Sequence, residues 1–355
     1  MTKFKANSHC LLIGSLPMEN HEDAAKLVLK YTPKIPVWVQ LPVYKQEGMI
    51  RQFLDGLPGF NKDNDKNMLN TLSDGFDEEL VSFFEDYISY EQEENDAKIS
   101  RFAFSKKIGK GFFEFLKQID KKNTAFIALK GQVTGPITFG VAVKDELGKS
   151  IFYNSQLKEV VITKLAMNAK WQAKEFAKRN AVPIIFIDEP ALSGFGTSEY
   201  ITITKEDVQE SIGQIVEKIH SEKGLAGIHV CANTQWDILL DLNLDIISFD
   251  AFSYFNKFML YPEMIKKYLL KKKIIAWGIV PTDKEHDIKH MTSEKLYKKL
   301  NDQINELSDK TKIDKSTIIS QSFITPSCGT GTLDIESAIK VLKLTNEVSK
   351  AFQVK

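Results

Sequence analysis

The chain has 355 residues, of which 43% are hydrophobic and 26% are charged, which is the composition of an ordinary globular protein. Its 47 basic residues balance its 47 acidic residues, and a neutral chain has no general attraction to nucleic-acid phosphates or anionic lipid surfaces. Three cysteines are too few for a disulfide framework, and no apolar stretch approaches the ~20 residues of a membrane span. We therefore expect a cytoplasmic, enzyme-sized protein without a nucleic-acid or membrane partner.

Eight short apolar segments predict buried strands. Residues 184–187 form a continuous apolar run, which favours a strand covered on both faces of a parallel sheet over a half-exposed one. The predicted strands span residues 9–14, 36–41, 125–130, 183–188, 225–231, 245–250, 274–280 and 317–324.

Helical patterns fill the connections between these strands. Residues 204–207, Thr-Lys-Glu-Asp, resemble a capping box, and the apolar residues that follow recur on one helical face. Eight strand-then-helix repeats predict a (β/α)₈ barrel that spans residues 1–355 as a single domain. An open doubly wound sheet is the alternative, and it is disfavoured because no G-x-G-x-x-G motif follows any predicted strand.

One connection is much longer than a single helix requires. Residues 45–123 are rich in acidic and aromatic side chains and separate the second and third predicted strands. We interpret this segment as a helical insertion over one mouth of the barrel.

Polar residues follow nearly every predicted strand, at the end where barrel enzymes carry their active sites. His229 and Cys231 are two residues apart, so on a strand both side chains would point to the same face. Cys328 follows the last strand and can approach the same mouth. Two thiolates and an imidazole suit a catalytic zinc ion, with Asp250 as the nearest further ligand. Simple packing of two buried cysteines remains the alternative.

Asp188 and Glu189 follow a wholly apolar strand, and their side chains should diverge. A buried carboxylate needs a partner, which could be the amino group of a ligand or a salt bridge from a neighbouring loop. The Gly14-Ser15 turn could present backbone N–H groups to a carboxylate, although such a turn alone is weak support.

These motifs resemble the catalytic half of cobalamin-independent methionine synthase, within the uroporphyrinogen-decarboxylase-like barrels. The resemblance runs over most of the chain and rests on motifs in matching order. They are residues 13–15 (Ile-Gly-Ser), 130–136 (KGQVTGP), 187–192 (IDEPAL), 229–231 (His-Val-Cys), 247–250 (ISFD) and 327–329 (Ser-Cys-Gly).

The resemblance implies a zinc ion held by His229, Cys231 and Cys328. Asp250 stands where the family has a glutamate ligand. It also implies that homocysteine is bound by the Ile13-Gly14-Ser15 turn and by Asp188, which would pair with the substrate amino group.

Two family positions have no clear equivalent in this sequence. The glutamate expected after the second strand has no clear match in residues 43–47, and the histidine expected after the seventh strand is replaced by Pro281-Thr282. The N-terminal barrel of full-length family members is not represented in this chain, so we expect a single-barrel core form.

The implied activity is methyl transfer to a zinc-activated thiol, with a methylcorrinoid or a methylfolate as the donor and a corrinoid protein as a candidate partner. One alternative is a metal-free decarboxylase of the same superfamily. That enzyme would need arginines around its substrate, whereas Arg51, Arg101 and Arg179 follow no predicted strand. A barrel that binds zinc or a corrinoid without catalysis is the other alternative.

Overall fold

The protein is described by a computed structural model that covers residues 4–63, 66–93, 98–122, 124–197, 200, 202–283 and 285–353. Its centre is a parallel six-stranded sheet in which the strands are neighbours in chain order. The strands are β1 (Ala128–Thr134), β2 (Val182–Asp188), β3 (Leu225–Val230), β4 (Ile246–Phe249), β5 (Ile274–Val280) and β6 (Ser322–Pro326). The α/β class and the parallel sheet are therefore confirmed.

Helices occupy most of the connections between the strands. They are α1 (His21–Tyr31), α2 (Phe76–Glu93), α3 (Lys110–Asp120), α4 (Pro136–Ala142), α5 (Ser155–Ala177), α6 (Lys205–Ser221), α7 (Trp236–Leu240), α8 (Ala251–Phe258), α9 (Pro262–Leu270), α10 (Glu285–His290), α11 (Ser293–Thr311), α12 (Lys315–Ser320) and α13 (Ile335–Gln353). The predicted capping box is confirmed, because Thr204 and Asp207 exchange side-chain and backbone hydrogen bonds at the start of α6. Across the described ranges, no helix combines the length and apolarity that a membrane crossing requires.

Two further extended segments flank the sheet. Both segments, residues 9–14 and residues 36–41, were predicted as strands. They and the adjacent Ser15 form only isolated parallel bridges, which pair Cys10 with Ile324, Ser15 with Gln40, and Val37 with Lys130. The backbone N–H of Leu11 donates to Ile324 O at 2.9 Å, and the N–H of Lys130 donates to Pro36 O at 2.9 Å. These bridges connect β6, the first segment, the second segment and β1 in that order.

Two predicted strand boundaries were wrong. β1 begins and ends later than the predicted residues 125–130, because the strand continues through the buried Gln132 to Thr134 and Lys130 lies inside it rather than at its end. The last strand was predicted from residue 317, but residues 315–320 form α12, in which Ile318 is buried as a helical residue. Apolar periodicity alone did not separate that short buried helix from a strand.

The interior face of the sheet has an apolar layer at its amino-terminal side. It joins the first extended segment to several strands and comprises Leu11, Ile13, Ala128, Ile184, Phe186, Ile246, Ile274, Ala276 and Phe323, with others. The carboxyl ends of the strands lie beyond this layer and carry polar side chains.

The long connection at residues 45–123 was predicted to be helical, and it contains α2 and α3. Within α3, Phe112 lies 4.6 Å from Trp171 of α5 and 5.9 Å from Trp38, measured between ring centroids. Aromatic packing therefore holds this connection against the body of the fold. Residues 64–65, 94–97 and 123 of the predicted insertion lie outside the described residues.

Candidate functional site

The carboxyl ends of the strands open into a cavity of about 370 Å³. Seven of the eight predicted site residues line it: Ile13, Gly14, Ser15, Asp188, His229, Cys231 and Cys328. Asp250 is not among the lining residues. Its Oδ1 accepts a hydrogen bond from the Ser253 N–H at 2.8 Å and caps the start of α8.

The two cavity cysteines form a hydrogen-bonded pair. The hydrogen bond from Cys328 lowers the pKa of Cys231 to about 7, against the opposing effect of burial. The same bond, together with burial, raises the pKa of Cys328. Cys10 is different, because burial alone raises the pKa of this thiol, which belongs to an apolar cluster. The cavity therefore holds one thiol that ionises readily near neutral pH, next to a second sulfur.

His229 is only 4% exposed and is held by one of its ring nitrogens. Its Nδ1 lies 3.0 Å from Ser248 Oγ, and its Nε2 has no hydrogen-bond partner among the described residues. Burial, with a further contribution from Lys130, lowers the pKa of His229 to about 3, so the imidazole is neutral. A neutral imidazole with its Nε2 unpaired can donate that lone pair to a metal ion.

The donor chemistry of this cavity fits zinc. Two sulfurs and an unpaired imidazole nitrogen are the ligand types that zinc prefers. In the part of the chain that the structure describes, no three His, Cys, Asp or Glu side chains already surround a single point at metal-binding distance. The fit therefore rests on the donor types and on the unpaired Nε2.

Asp188 and Glu189 diverge, as expected for neighbouring residues at a strand end. Asp188 lines the cavity, and its buried Oδ1 has no hydrogen-bond partner among the described residues. Burial raises the pKa of Asp188 to about 6, and the nearby Lys130 opposes this shift. A buried carboxylate with an unpaired oxygen is well suited to accept a hydrogen bond from a ligand ammonium group.

Glu189 points the other way and fastens β2 to α4. It is fully buried, and it accepts hydrogen bonds from the N–H of Ile137 at 2.8 Å and from the N–H and Oγ1 of Thr138 at 2.9 and 2.6 Å. Gly135 is required at this junction, since a Cβ there would lie 2.0 Å from the Glu189 carboxyl carbon. This junction fixes the turn that carries Asp188.

The junction gives a pH-dependent contribution to stability. Burial raises the pKa of Glu189 to about 7, against the hydrogen bonds that it accepts. The folded chain thus holds this proton more tightly than the unfolded chain, whose glutamate pKa is ~4.3. The stabilising contribution is complete below the unfolded pKa and is lost as the pH rises through the folded one. Urea unfolding between about pH 5 and pH 7 should therefore show a steeper loss of stability in the wild type than in Glu189→Gln. Equal slopes would contradict this assignment.

Ser15 connects the first extended segment to a glycine-containing loop after β6. Its Oγ accepts a hydrogen bond from the Gly331 N–H at 3.2 Å, and its carbonyl accepts from Thr330 Oγ1 at 3.1 Å. A Cβ at Gly329 would lie 2.4 Å from Ser15 Oγ, so the loop and the turn are in close contact. The Gly14-Ser15 turn is thereby positioned at the cavity wall.

Sequence reasoning missed Glu47, which is fully buried and lines the cavity. Its Oε1 lies 2.6 Å from His21 Nε2, and its Oε2 accepts a hydrogen bond from the Leu41 N–H at 3.1 Å. The glutamate that the family resemblance required after the second strand had no clear match in residues 43–47. The only sequence signal was an acidic residue shortly after Gln40-Leu41-Pro42, within a segment without regular periodicity.

Comparison with known proteins gives one clear sequence relative. The chain is 27% identical to methionine synthase from Methanocaldococcus jannaschii over 259 residues, which are 72% of this chain and 75% of the relative. No protein-family model matches the chain.

Two solved structures are more distantly similar. One is a B12-independent methionine synthase from Shewanella sp. W3-18-1 in complex with selenomethionine, with 18% identity and a TM-score of 0.49 over 68% of this chain and 66% of that chain. The other is a methyltransferase from Methanosarcina mazei, with 13% identity and a TM-score of 0.44 over 67% of this chain and 63% of that chain. The matched region is less than two thirds of each of these solved chains. The sequence match agrees with the motifs, and over 72% of its length the chain is similar to a methionine synthase.

Proposed function

We propose that this protein is a zinc-dependent methyltransferase that moves a methyl group to the thiol of a homocysteine-like acceptor. One observation carries the proposal: a single cavity contains two thiols, a neutral imidazole with an unpaired nitrogen, and a buried carboxylate with an unpaired oxygen. The sequence relationship to a methionine synthase supports the same reaction class.

His229, Cys231 and Cys328 would hold the zinc ion, with Asp250 as the proposed fourth ligand. A bound zinc ion would lower the pKa of the acceptor thiol below its free value of ~8.5, so that the thiolate is present at neutral pH. Oδ1 of Asp250 already accepts a hydrogen bond from the Ser253 N–H. To serve as a ligand, Asp250 would have to use its other carboxylate oxygen or release this hydrogen bond.

The other cavity residues would bind and orient the acceptor. Asp188 would accept a hydrogen bond from its ammonium group, and the Ile13-Gly14-Ser15 turn would receive its carboxylate. In the transfer step, the acceptor releases its thiol proton to solvent and its sulfur attacks the methyl carbon. The new sulfur–carbon bond forms as the bond from that carbon to the donor breaks, and the electron pair of the broken bond remains on the donor.

The described sheet and its flanking segments support a closed architecture. We propose that residues 9–14 and 36–41 complete a (β/α)₈ barrel within one domain of residues 1–355, because their bridges connect β6 to β1. Residues 45–123 would be an insertion over the mouth, since Glu47, Gly48 and Met49 line the cavity.

The methyl donor would be a methylcorrinoid, delivered free or by a corrinoid protein, or a methylfolate. A metal-free decarboxylase is less well supported, because no arginine is among the described residues that line the cavity. A barrel that binds zinc or a corrinoid without catalysis would show no turnover in the test that follows.

The test is a methyl-transfer assay with methylcobalamin or 5-methyltetrahydrofolate as donor and a panel of thiols as acceptors. We expect turnover with homocysteine, and Asp188→Asn should raise the KM for homocysteine by about tenfold to a hundredfold because a charged hydrogen bond is lost. Asp241→Asn is the matched control, since Asp241 is exposed and pairs with Lys205 at the surface. No transfer to any thiol from either donor would refute the proposal.

A further inference from the structure

One hydroxyl is buried in the otherwise apolar strand β4. Ser248 is fully buried between Ile247 and Phe249. A buried hydroxyl costs free energy unless it forms a hydrogen bond, so its partner indicates why a serine is present at this position. That partner is His229 of β3, because the Ser248 Oγ lies 3.0 Å from the His229 Nδ1. The hydroxyl of β4 therefore holds the imidazole of the neighbouring strand.

The register of β3 and β4 brings the two side chains together. His229 is paired with Ser248 across the two parallel strands, so both side chains leave the sheet next to each other and on the same face. Ile246, two residues before Ser248, belongs to the apolar layer inside the sheet, so Ser248 and His229 point to that interior as well. The contact is thus built from two strands and does not depend on a loop.

The hydrogen bond to Ser248 orients the imidazole. The two ring nitrogens point in different directions, so an Nδ1 that faces β4 leaves the Nε2 facing away from it. His229 lines the cavity, and its Nε2 has no hydrogen-bond partner in the part of the chain that the structure describes. A histidine that binds a metal through one ring nitrogen usually donates its other N–H to a protein group, which fixes the ring and its tautomer. With Nε2 as the ligand atom, Nδ1 carries the proton and the Ser248 Oγ accepts the hydrogen bond.

The carboxylate on the other side of His229 is not used for this purpose. Asp188 of β2 is also a register partner of His229 and lines the cavity, but its buried Oδ1 makes no hydrogen bond to any described residue. The hydroxyl of Ser248 therefore holds the imidazole, and the carboxylate of Asp188 stays available to a ligand.

We propose that Ser248 is a positioning residue for zinc: its hydroxyl accepts the hydrogen bond from the His229 Nδ1–H and so holds the Nε2 in the orientation in which it binds the metal ion. This inference rests on the proposed function and adds a residue to it. Ser248 acts through His229, since Ser248 is not among the described residues that line the cavity.

The zinc affinities of three serine variants test the inference without a methyl donor or turnover. Ser248→Ala removes the hydroxyl, Ser248→Thr keeps it, and Ser322→Ala is the matched control. Ser322 is a fully buried serine of β6 whose Oγ accepts a hydrogen bond from Trp277 Nε1 at 2.9 Å and donates one to the Ile318 carbonyl at 2.6 Å.

We expect Ser248→Ala to bind zinc about tenfold to a hundredfold more weakly than the wild type in competition with a chelating dye, because the imidazole loses the group that orients it. Ser248→Thr and Ser322→Ala should keep an affinity close to that of the wild type. Nitrogen NMR of isotope-labelled histidine in the zinc-loaded wild type supplies a second readout. It should show His229 with a protonated Nδ1 and a metal-bound Nε2.

The outcomes separate this inference from the proposed function. Zinc binding by the wild type that is equally tight in folded Ser248→Ala would overturn the role of Ser248 and leave the proposed function standing. An equal loss of affinity in Ser322→Ala would also overturn it, since any buried strand hydroxyl would then matter as much. If Ser248→Ala does not fold, the NMR result on the wild type decides, because an unprotonated Nδ1 contradicts the inference. A wild type that binds no zinc would refute both proposals.

Discussion

Replacement of Cys231 by serine should lower the rate of methyl transfer to the acceptor thiol by about a thousandfold or more, because a lost metal site removes several kcal/mol of charge stabilisation. Cys231 is the thiol whose pKa is lowered to about 7, so it is the cavity sulfur that most readily becomes an anionic ligand. A serine hydroxyl does not ionise near neutral pH and is a poor zinc ligand. Cys328→Ser should have a comparable effect, since this sulfur is the hydrogen-bond partner of Cys231.

Cys10→Ser is the matched control for these two variants. Cys10 is the remaining cysteine and is buried in an apolar cluster away from the cavity lining. This variant should lose some stability and keep its transfer rate at temperatures where it is folded. The measurement is the initial rate of homocysteine methylation, with circular dichroism to confirm folding. Near-wild-type rates in folded Cys231→Ser and Cys328→Ser would contradict the thiolate site.

The second large effect concerns the junction between β2 and α4. Gly135→Ala should lower the free energy of unfolding by about 3 kcal/mol or more, since both overpacking and the loss of buried hydrogen bonds contribute. The new Cβ would lie 2.0 Å from the Glu189 carboxyl carbon and 2.1 Å from its Cγ, so Glu189 would have to move. That movement would break its hydrogen bonds to Ile137 and Thr138.

Gly213→Ala provides the control for the change of glycine to alanine. Gly213 lies within α6, and a Cβ added there meets no atom within 4 Å. An alanine in a helix interior is favoured over glycine by roughly 0.5–1 kcal/mol, so this variant should be slightly more stable than the wild type. Urea unfolding of both variants measures the difference. A Gly135→Ala chain as stable as the wild type would show that the junction tolerates rearrangement and does not fix the turn at Asp188.

The sequence was most informative where chemistry and strand periodicity coincide. His229 and Cys231 lie at the end of a clearly apolar strand, and the rule that residues two apart share a face placed both at the cavity. Asp188 could be predicted for the same reason. The long apolar runs also located four strands, β2 to β5, within one or two residues.

Other features depend on long-range packing that periodicity does not encode. Lys130 was predicted as the last residue of a strand, whereas it lies inside β1, fully buried, with its Nζ 4.3 Å from the centre of the Phe186 ring. Burial of a charged residue is rare, so nothing in the sequence indicated it. Glu47 belongs to an irregular segment, and its place in the cavity depends on His21 and on the backbone of Leu41. Asp250 was predicted only as a strand-end ligand, and the structure shows its carboxylate as the cap of α8.

The most direct test of the account is the zinc content of the purified wild type beside Cys231→Ala, Cys328→Ala and Cys10→Ala. We expect about one zinc ion per chain in the wild type and in Cys10→Ala, and none in the other two variants, because the two cavity sulfurs would be first among its ligands. A well-folded wild type that takes up no zinc, even when zinc is supplied, would contradict the proposed thiol activation.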